Sequence, residues 1–133
     1  MLVTGASSGI GRAVALRAAD AGARVVLVAR STDALRSVET ELRNRGGLAR
    51  SYPADLSSRT STAELLSRLE AHGVIVDVLV NNAGRSIRRA LDESYDRAHD
   101  FERTMALNYF GSLRLICRAS LRRAPVFLRG RTG

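Results

Sequence analysis

Apolar residues fall along this chain in short blocks, separated by amphipathic stretches and glycines. Residues 25–29 read Val-Val-Leu-Val-Ala, an unbroken apolar run of the kind left by a strand buried on both faces. Residues 1–3 read as the remainder of a strand, 48–52 as a weaker one and 76–80 as a fourth. Between them apolar positions recur at helical spacing. Residues 10–21 predict a helix stopped by Gly22. Leu35, Val38 and Leu42 predict a second, capped by Thr32 and ended by Gly46-Gly47. Leu65, Leu66 and Leu69 predict a third, capped by Ser57 and ended by Gly73. A polar loop follows Gly84, and a long helix is expected over residues 100–123, broken by Pro125. Residues 126–128 fit either a short strand or a tail.

Strands and helices in alternation predict an α/β fold, a doubly wound parallel sheet with right-handed crossovers. A length of 133 residues fits one domain, and 45% apolar content argues for a packed core over disorder. No internal repeat or linker divides it. No apolar run approaches the ~20 residues that span a bilayer, and the N-terminus lacks the charged-then-apolar order of a secretory signal. The lone cysteine, Cys117, excludes an internal disulfide and suits a reducing cytoplasm. Its place on an apolar helix face predicts a buried, inert thiol.

The net charge of +8 comes entirely from arginine on the basic side. These residues thicken toward the end, at Arg114, Arg118, Arg122, Arg123, Arg129 and Arg131, where a solvated helix face is expected. Only Phe127 is interleaved with them, too little aromatic surface to stack on bases, so nucleic acid is not the expected partner.

The most informative local feature is Thr4-Gly5-Ala6-Ser7-Ser8-Gly9-Ile10-Gly11, which follows a strand and opens a helix. In that context the spacing is a dinucleotide fingerprint. Gly5 permits a tight turn, Gly9 lets the backbone approach a pyrophosphate, and Gly11 lets the helix pack closely on the sheet. The helix N-terminus then offers free N–H groups and partial positive charge, and Ser7 and Ser8 add hydroxyl donors. The expected fold is therefore an NAD(P)-binding domain of Rossmann type, spanning 1–133, partial, with about four strands.

With this motif the chain resembles the short-chain dehydrogenase/reductase family, whose glycine spacing it shares. Asn81-Asn82-Ala83-Gly84 follows the fourth strand and matches the family segment that stabilises the central sheet and borders the cofactor. Asp55-Leu56 matches the pair that contacts the adenine, and Asn108 matches the asparagine of the catalytic tetrad. The stretches from Asn81 to Arg89 and from Asp100 to Gly111 look like those of bacterial fatty acyl-CoA reductases, which reduce acyl-CoA thioesters to aldehydes with NADPH. The resemblance implies a cytoplasmic, homo-oligomeric oxidoreductase that moves a hydride between NADPH and a carbonyl or acyl-CoA thioester. Its cofactor-binding residues would be Gly5, Ser7, Ser8, Gly9, Ile10, Gly11, Arg30, Asp55, Leu56, Asn82, Ala83 and Gly84, with Asn108 in a catalytic role and no metal. Rival expectations are a general ketone or alcohol reductase of the family, or a cofactor-binding redox sensor without catalysis.

The chain departs from the family pattern in one respect. The family's acid is a tyrosine followed four residues later by lysine, which lowers its pKa. Here Tyr52, Tyr95 and Tyr109 are followed at that spacing by Leu56, His99 and Leu113, and lysine is absent. The expectation is a fragment, clipped at both ends, that lacks the serine and the Tyr-x-x-x-Lys pair and is inactive. Arg30, at the end of the second strand, would pair with a 2′-phosphate, which favours NADP over NAD. Asn108 distorts its helix in the family and binds a water that relays protons to the lysine; without that lysine only the structural part survives. His72 is expected at the surface near a helix end, and His99 has no companion at metal-ligand spacing.

Overall fold

A computed structural model describes residues 1–88, 90, 92 and 95–120. The expectations for Arg89, Pro125, residues 126–128 and the arginines from Arg122 onward lie outside the described residues. The elements run β1 (Leu2–Thr4), α1 (Gly9–Asp20), β2 (Val25–Ala29), α2 (Thr32–Asn44), β3 (Ala49–Pro53), α3 (Arg59–Ala71), β4 (Leu79–Val80), α4 (Ala98–Met105), a π-helical turn (Ala106–Gly111) and α5 (Ser112–Ser120). The strands pair in the order β3-β2-β1-β4, all parallel.

The sheet is doubly wound, because each face has its own helices and its own core. On one side Val3, Val25 and Leu27 pack with Ala15 and Ala19 of α1 and with Leu35, Val38 and Leu42 of α2. On the other, Leu2, Val28 and Tyr52 pack with Leu65 and Leu69 of α3 and Leu115 of α5. Alternate residues of β1 and β2 thus face opposite cores, which is why residues 25–29 carry no polar position. Full burial of side chains such as Leu27 and Leu35 is worth ~1.5–3 kcal/mol each. The order reverses at β1: successive strands step outward to β3, then the chain returns to place β4 beside β1. A ligand crevice opens beyond the strand C-termini at such a point.

Several boundaries differ from expectation for physical reasons. Ser31, not Thr32, caps α2 by accepting from the Ala34 amide, and Ser58, not Ser57, caps α3 by accepting from the Ser61 amide. The fourth strand is Leu79–Val80 and not 76–80, since among the described residues its ladder is to Leu2 and Val3. The last helix begins at Ala98 and is interrupted by the π-helical turn. Cys117 is exposed, not buried: the inward face of α5 is occupied by Leu115, and a residue two positions on points away from it. Arg114 departs from a solvated face. Its guanidinium lies 5.9 Å from the Phe110 ring centre, and Nη1 is buried with no hydrogen-bond partner among the described residues.

Candidate coenzyme site

The turn after β1 is fixed by its glycines and by Asn82. Gly5 and Gly9 have φ of +65° and +52°, which side-chain-bearing residues rarely adopt. Gly11 is constrained by space: a Cβ there would lie 2.3 Å from the Gly5 carbonyl oxygen and 2.5 Å from Asn82 Nδ2. At Gly9 a Cβ would meet no protein atom within 4 Å, so that part of the turn faces outward. Ser8 and Ile10 beside it are exposed and Ser7 is half-buried. Ser8 stands at the N-cap of α1 but its side chain makes no capping bond, unlike Ser31 and Ser58. The first amides of α1 thus keep their donors and the positive end of the helix dipole for something outside the helix.

The loop after β4 is tied to this turn through Thr4, which is 1% exposed. Its hydroxyl donates to the Val80 carbonyl at 3.2 Å and accepts from the amides of Asn82 and Ala83, each at 2.9 Å. One donor and two acceptor positions are all a hydroxyl has, so Thr4 is saturated. Asn82 Nδ2 donates back to the carbonyls of Thr4 at 3.1 Å and Gly5 at 3.4 Å. The fingerprint and the Asn-Asn-Ala-Gly segment are therefore one hydrogen-bonded unit across two adjacent strands.

Asp55 and Arg30 stand at the rim, beyond β3 and β2. The Ser57 hydroxyl donates to Asp55 Oδ1 at 2.7 Å and the Ser57 amide at 2.9 Å. The hydroxyl bond is the largest influence holding the Asp55 carboxyl below its ordinary range. The amide and the nearby Arg30 and Arg85 guanidiniums act the same way, against burial. Oδ2 has no hydrogen-bond donor among the described residues and can accept from a ligand amine. Arg30 is exposed, whereas Arg12 at the start of α1 is bound to Glu41 of α2 at 2.5 Å. Leu56 is buried under the rim, and Gly84 lies beside Asn108, its Cβ position 3.5 Å from Asn108 Oδ1.

Asn108 sits inside the π-helical turn. Its Oδ1 accepts from the Arg85 amide and its Nδ2 donates to the Arg85 carbonyl, both at 2.9 Å. Single π turns inside α-helices cluster at functional sites. The π turn ends at Gly111, where a Cβ would come within 2.8 Å of the Leu56 carbonyl. The candidate coenzyme residues and Asn108 thus lie at the strand C-termini, in the turn and helix start beyond β1, or in the π turn. Three that hold them were missed there: Thr4 as the shared hub, Arg85 as the partner of Asn108, and Gly111. A glycine inside a helical pattern costs ~1 kcal/mol against alanine, which was a legible signal of close packing.

A family model described as short chain dehydrogenase matches residues 1–129. The chain belongs to the short-chain dehydrogenase family. It is 53% identical over 115 residues to a fatty acyl-CoA reductase of Acinetobacter baylyi, covering 86% of this chain and 39% of that protein. It is 49% identical over 116 residues to a fatty acyl-CoA reductase of Mycobacterium tuberculosis, covering 87% of this chain and 40% of the relative. A metagenomic short-chain oxidoreductase solved in complex with NADP superimposes with a TM-score of 0.81 at 39% identity, over 90% of this chain and 54% of that one. The chain thus spans well under two thirds of the short-chain dehydrogenases it matches.

The residues of this short-chain dehydrogenase fit a dinucleotide. The turn places backbone in the left-handed region, α1 begins without a side-chain cap, and a carboxylate with a free oxygen stands beside an exposed arginine. Among the described residues no helix is long and apolar enough to cross a membrane.

Proposed function

We propose that this chain is the coenzyme-binding part of an NADPH-dependent reductase of acyl-CoA thioesters. The coenzyme preference is carried by one observation: an exposed arginine, Arg30, follows β2 where an acidic residue would instead accept from a free ribose hydroxyl. The substrate class rests on the identity to two proteins named fatty acyl-CoA reductases. When bound, the coenzyme supplies the hydride. The chain's own residues bind and orient it: the α1 amides with Ser7 and Ser8 at the phosphates, Arg30 at the 2′-phosphate, Asp55 and Leu56 at the adenine, and Ala83 and Gly84 along the ribose. Asn82 and Thr4 hold the turn in shape, and Asn108 fixes the loop at Arg85.

Fluorescence titration of the chain with NADPH and NADH tests the first part. NADPH should bind more tightly, and Arg30→Ala should remove ~1.5–3 kcal/mol of that preference; equal affinities, unchanged by the substitution, would refute it. The substrate part is tested on a version extended with the family's Tyr-x-x-x-Lys segment. It should reduce long-chain acyl-CoA, and turnover of simple ketones alone would reassign it. The 133-residue chain should show no turnover above a cofactor-only blank, because a positioned acid contributes ~10²–10⁴-fold and none of Tyr52, Tyr95 or Tyr109 has a lysine to tune it. Turnover that disappears on Asn108→Ala would overturn that.

A further inference from the structure

Far from the coenzyme crevice, β3 forms one edge of the sheet, with β2 on its inner side. The Leu48 carbonyl accepts from the Val25 amide, and the Ala54 amide donates to the Ala29 carbonyl. The even-numbered residues of this stretch therefore turn their peptide groups to β2, and Ala49, Ser51 and Pro53 turn theirs outward. An outward row of backbone donors and acceptors is a template for another strand.

Here the row is occupied by side chains. Arg43 of α2 donates to the Ala49 carbonyl at 3.4 Å. The Ser51 amide donates to Glu39 Oε2 of α2 at 3.0 Å, and the Ser51 hydroxyl donates to the same oxygen. Arg68 of α3 donates to the Pro53 carbonyl at 2.6 Å, and Pro53 has no N–H of its own. Glu39 and Arg43 also pair with each other, one turn apart on α2. The helices on opposite faces of the sheet thus both reach round to the same edge.

An arriving strand would have to displace these groups before its own amides and carbonyls could pair. It would also take the Ser51 donors from the Glu39 carboxylate, whose side chain is only 16% exposed. Without the three side chains, two β3 edges could pair antiparallel about a two-fold axis, each satisfying the other. We propose that Glu39, Arg43 and Arg68 close the β3 edge against strand pairing with a second copy of this chain.

Sedimentation velocity and amide hydrogen exchange of the intact chain, each over a range of protein concentrations, provide the test. In the unsubstituted chain the Ser51 amide should be protected to the same degree throughout. Combining Glu39→Ala, Arg43→Ala and Arg68→Ala should remove that protection on dilution and restore it on concentration, with self-association about tenfold tighter. Adding Ser51→Pro should abolish the extra association. Its N–H faces away from β2, so proline there costs no ladder bond and blocks an incoming one. A chain that associates because it has unfolded would not respond to that change. Glu39→Gln keeps an acceptor of the same reach and should leave Ser51 protected at every concentration. Removing equal charge at exposed positions elsewhere, with Arg17→Ala, Arg36→Ala and Glu64→Ala, should leave association unchanged. The proposal is overturned if the edge variant associates no more than this control, or if its association survives Ser51→Pro.

Discussion

Around the glycine turn every close approach is made within the first 84 residues: Gly11 against Gly5, Asn82 against both, and Thr4 saturated between two strands. The helical segment that carries Asn108 is held on different terms. Gly111 and Leu115 are buried, but Phe101, Met105, Tyr109, Phe110, Leu113 and Ile116 are exposed, Phe101 at 61%. The phosphate-binding end of the site is therefore fixed by steric limits, with little room for adjustment. The Asn108 end is fixed by two hydrogen bonds and a small buried seam. Coenzyme binding should tolerate damage to the second region much better than damage to the first.

The largest effect is expected at Gly11. An alanine methyl would sit 2.3 Å from backbone and 2.5 Å from an Asn82 atom already bonded on its other side. Relief requires moving α1 off the sheet, at a cost of about 3 kcal/mol. Gly84→Ala is the matched control on the other side of the comparison. Its methyl would make ordinary contact at 3.5 Å from Asn108 Oδ1, and the loss should stay under ~1 kcal/mol. Urea denaturation of both variants distinguishes them, and similar midpoints would show that the turn has slack the geometry does not reveal.

A smaller effect is expected at Asn108. Asn108→Ala removes a donor and an acceptor from the Arg85 peptide, worth about 1–2 kcal/mol at an exposed position. Hydrogen exchange should report it directly, with the Arg85 amide losing protection while those of Asn82 and Ala83 keep theirs through Thr4. Asn108→Asp retains the acceptor and should keep the Arg85 amide protected. Loss of protection across both loops together would mean that the two regions are one cooperative unit, contrary to the comparison.

Legibility in the sequence follows the same division. The glycine turn could be found because it has a local cause, a glycine spacing between a strand and a helix, whereas Asn82 and Asp55 came only with the resemblance to the family. The core strands could be found because residues 25–29 face two cores at once. What could not be read was set by distant partners. Thr4 bonds residues nearly eighty positions away, Arg85 bonds a helix that begins beyond the next loop, and Gly111 meets Leu56. Cys117 misled because its helix is amphipathic, yet the apolar face of that helix is only partly covered in the described structure. Capping shifted by one residue at both Ser31 and Ser58 because adjacent hydroxyl residues compete for a single geometry, which the sequence alone does not order.

The smallest effect concerns Asp55, and it shows how firmly the rim belongs to the first region. The Ser57 hydroxyl is the main influence holding this carboxyl below its ordinary value of 3.8, with the Ser57 amide, Arg30 and Arg85 adding to it and burial opposing. In the unfolded chain those partners are gone, so near pH 4 the unfolded state binds the proton more readily than the folded one. Asp55 therefore contributes stability that is fully present above the unfolded value and is lost as pH falls through the folded value. Asp55→Asn should flatten the acid limb of the stability curve below about pH 4 while leaving the slope near neutrality unchanged. Ser57→Ala should flatten it in part, because the amide bond and the two arginines remain. Equilibrium urea unfolding at a series of acidic pH values reads both. If Ser57→Ala left the limb as steep as in the unsubstituted chain while Asp55→Asn flattened it, the arginines would be the dominant partners. The electrostatics of the rim would then depend on the loop that Asn108 holds, and not on the turn beside β3.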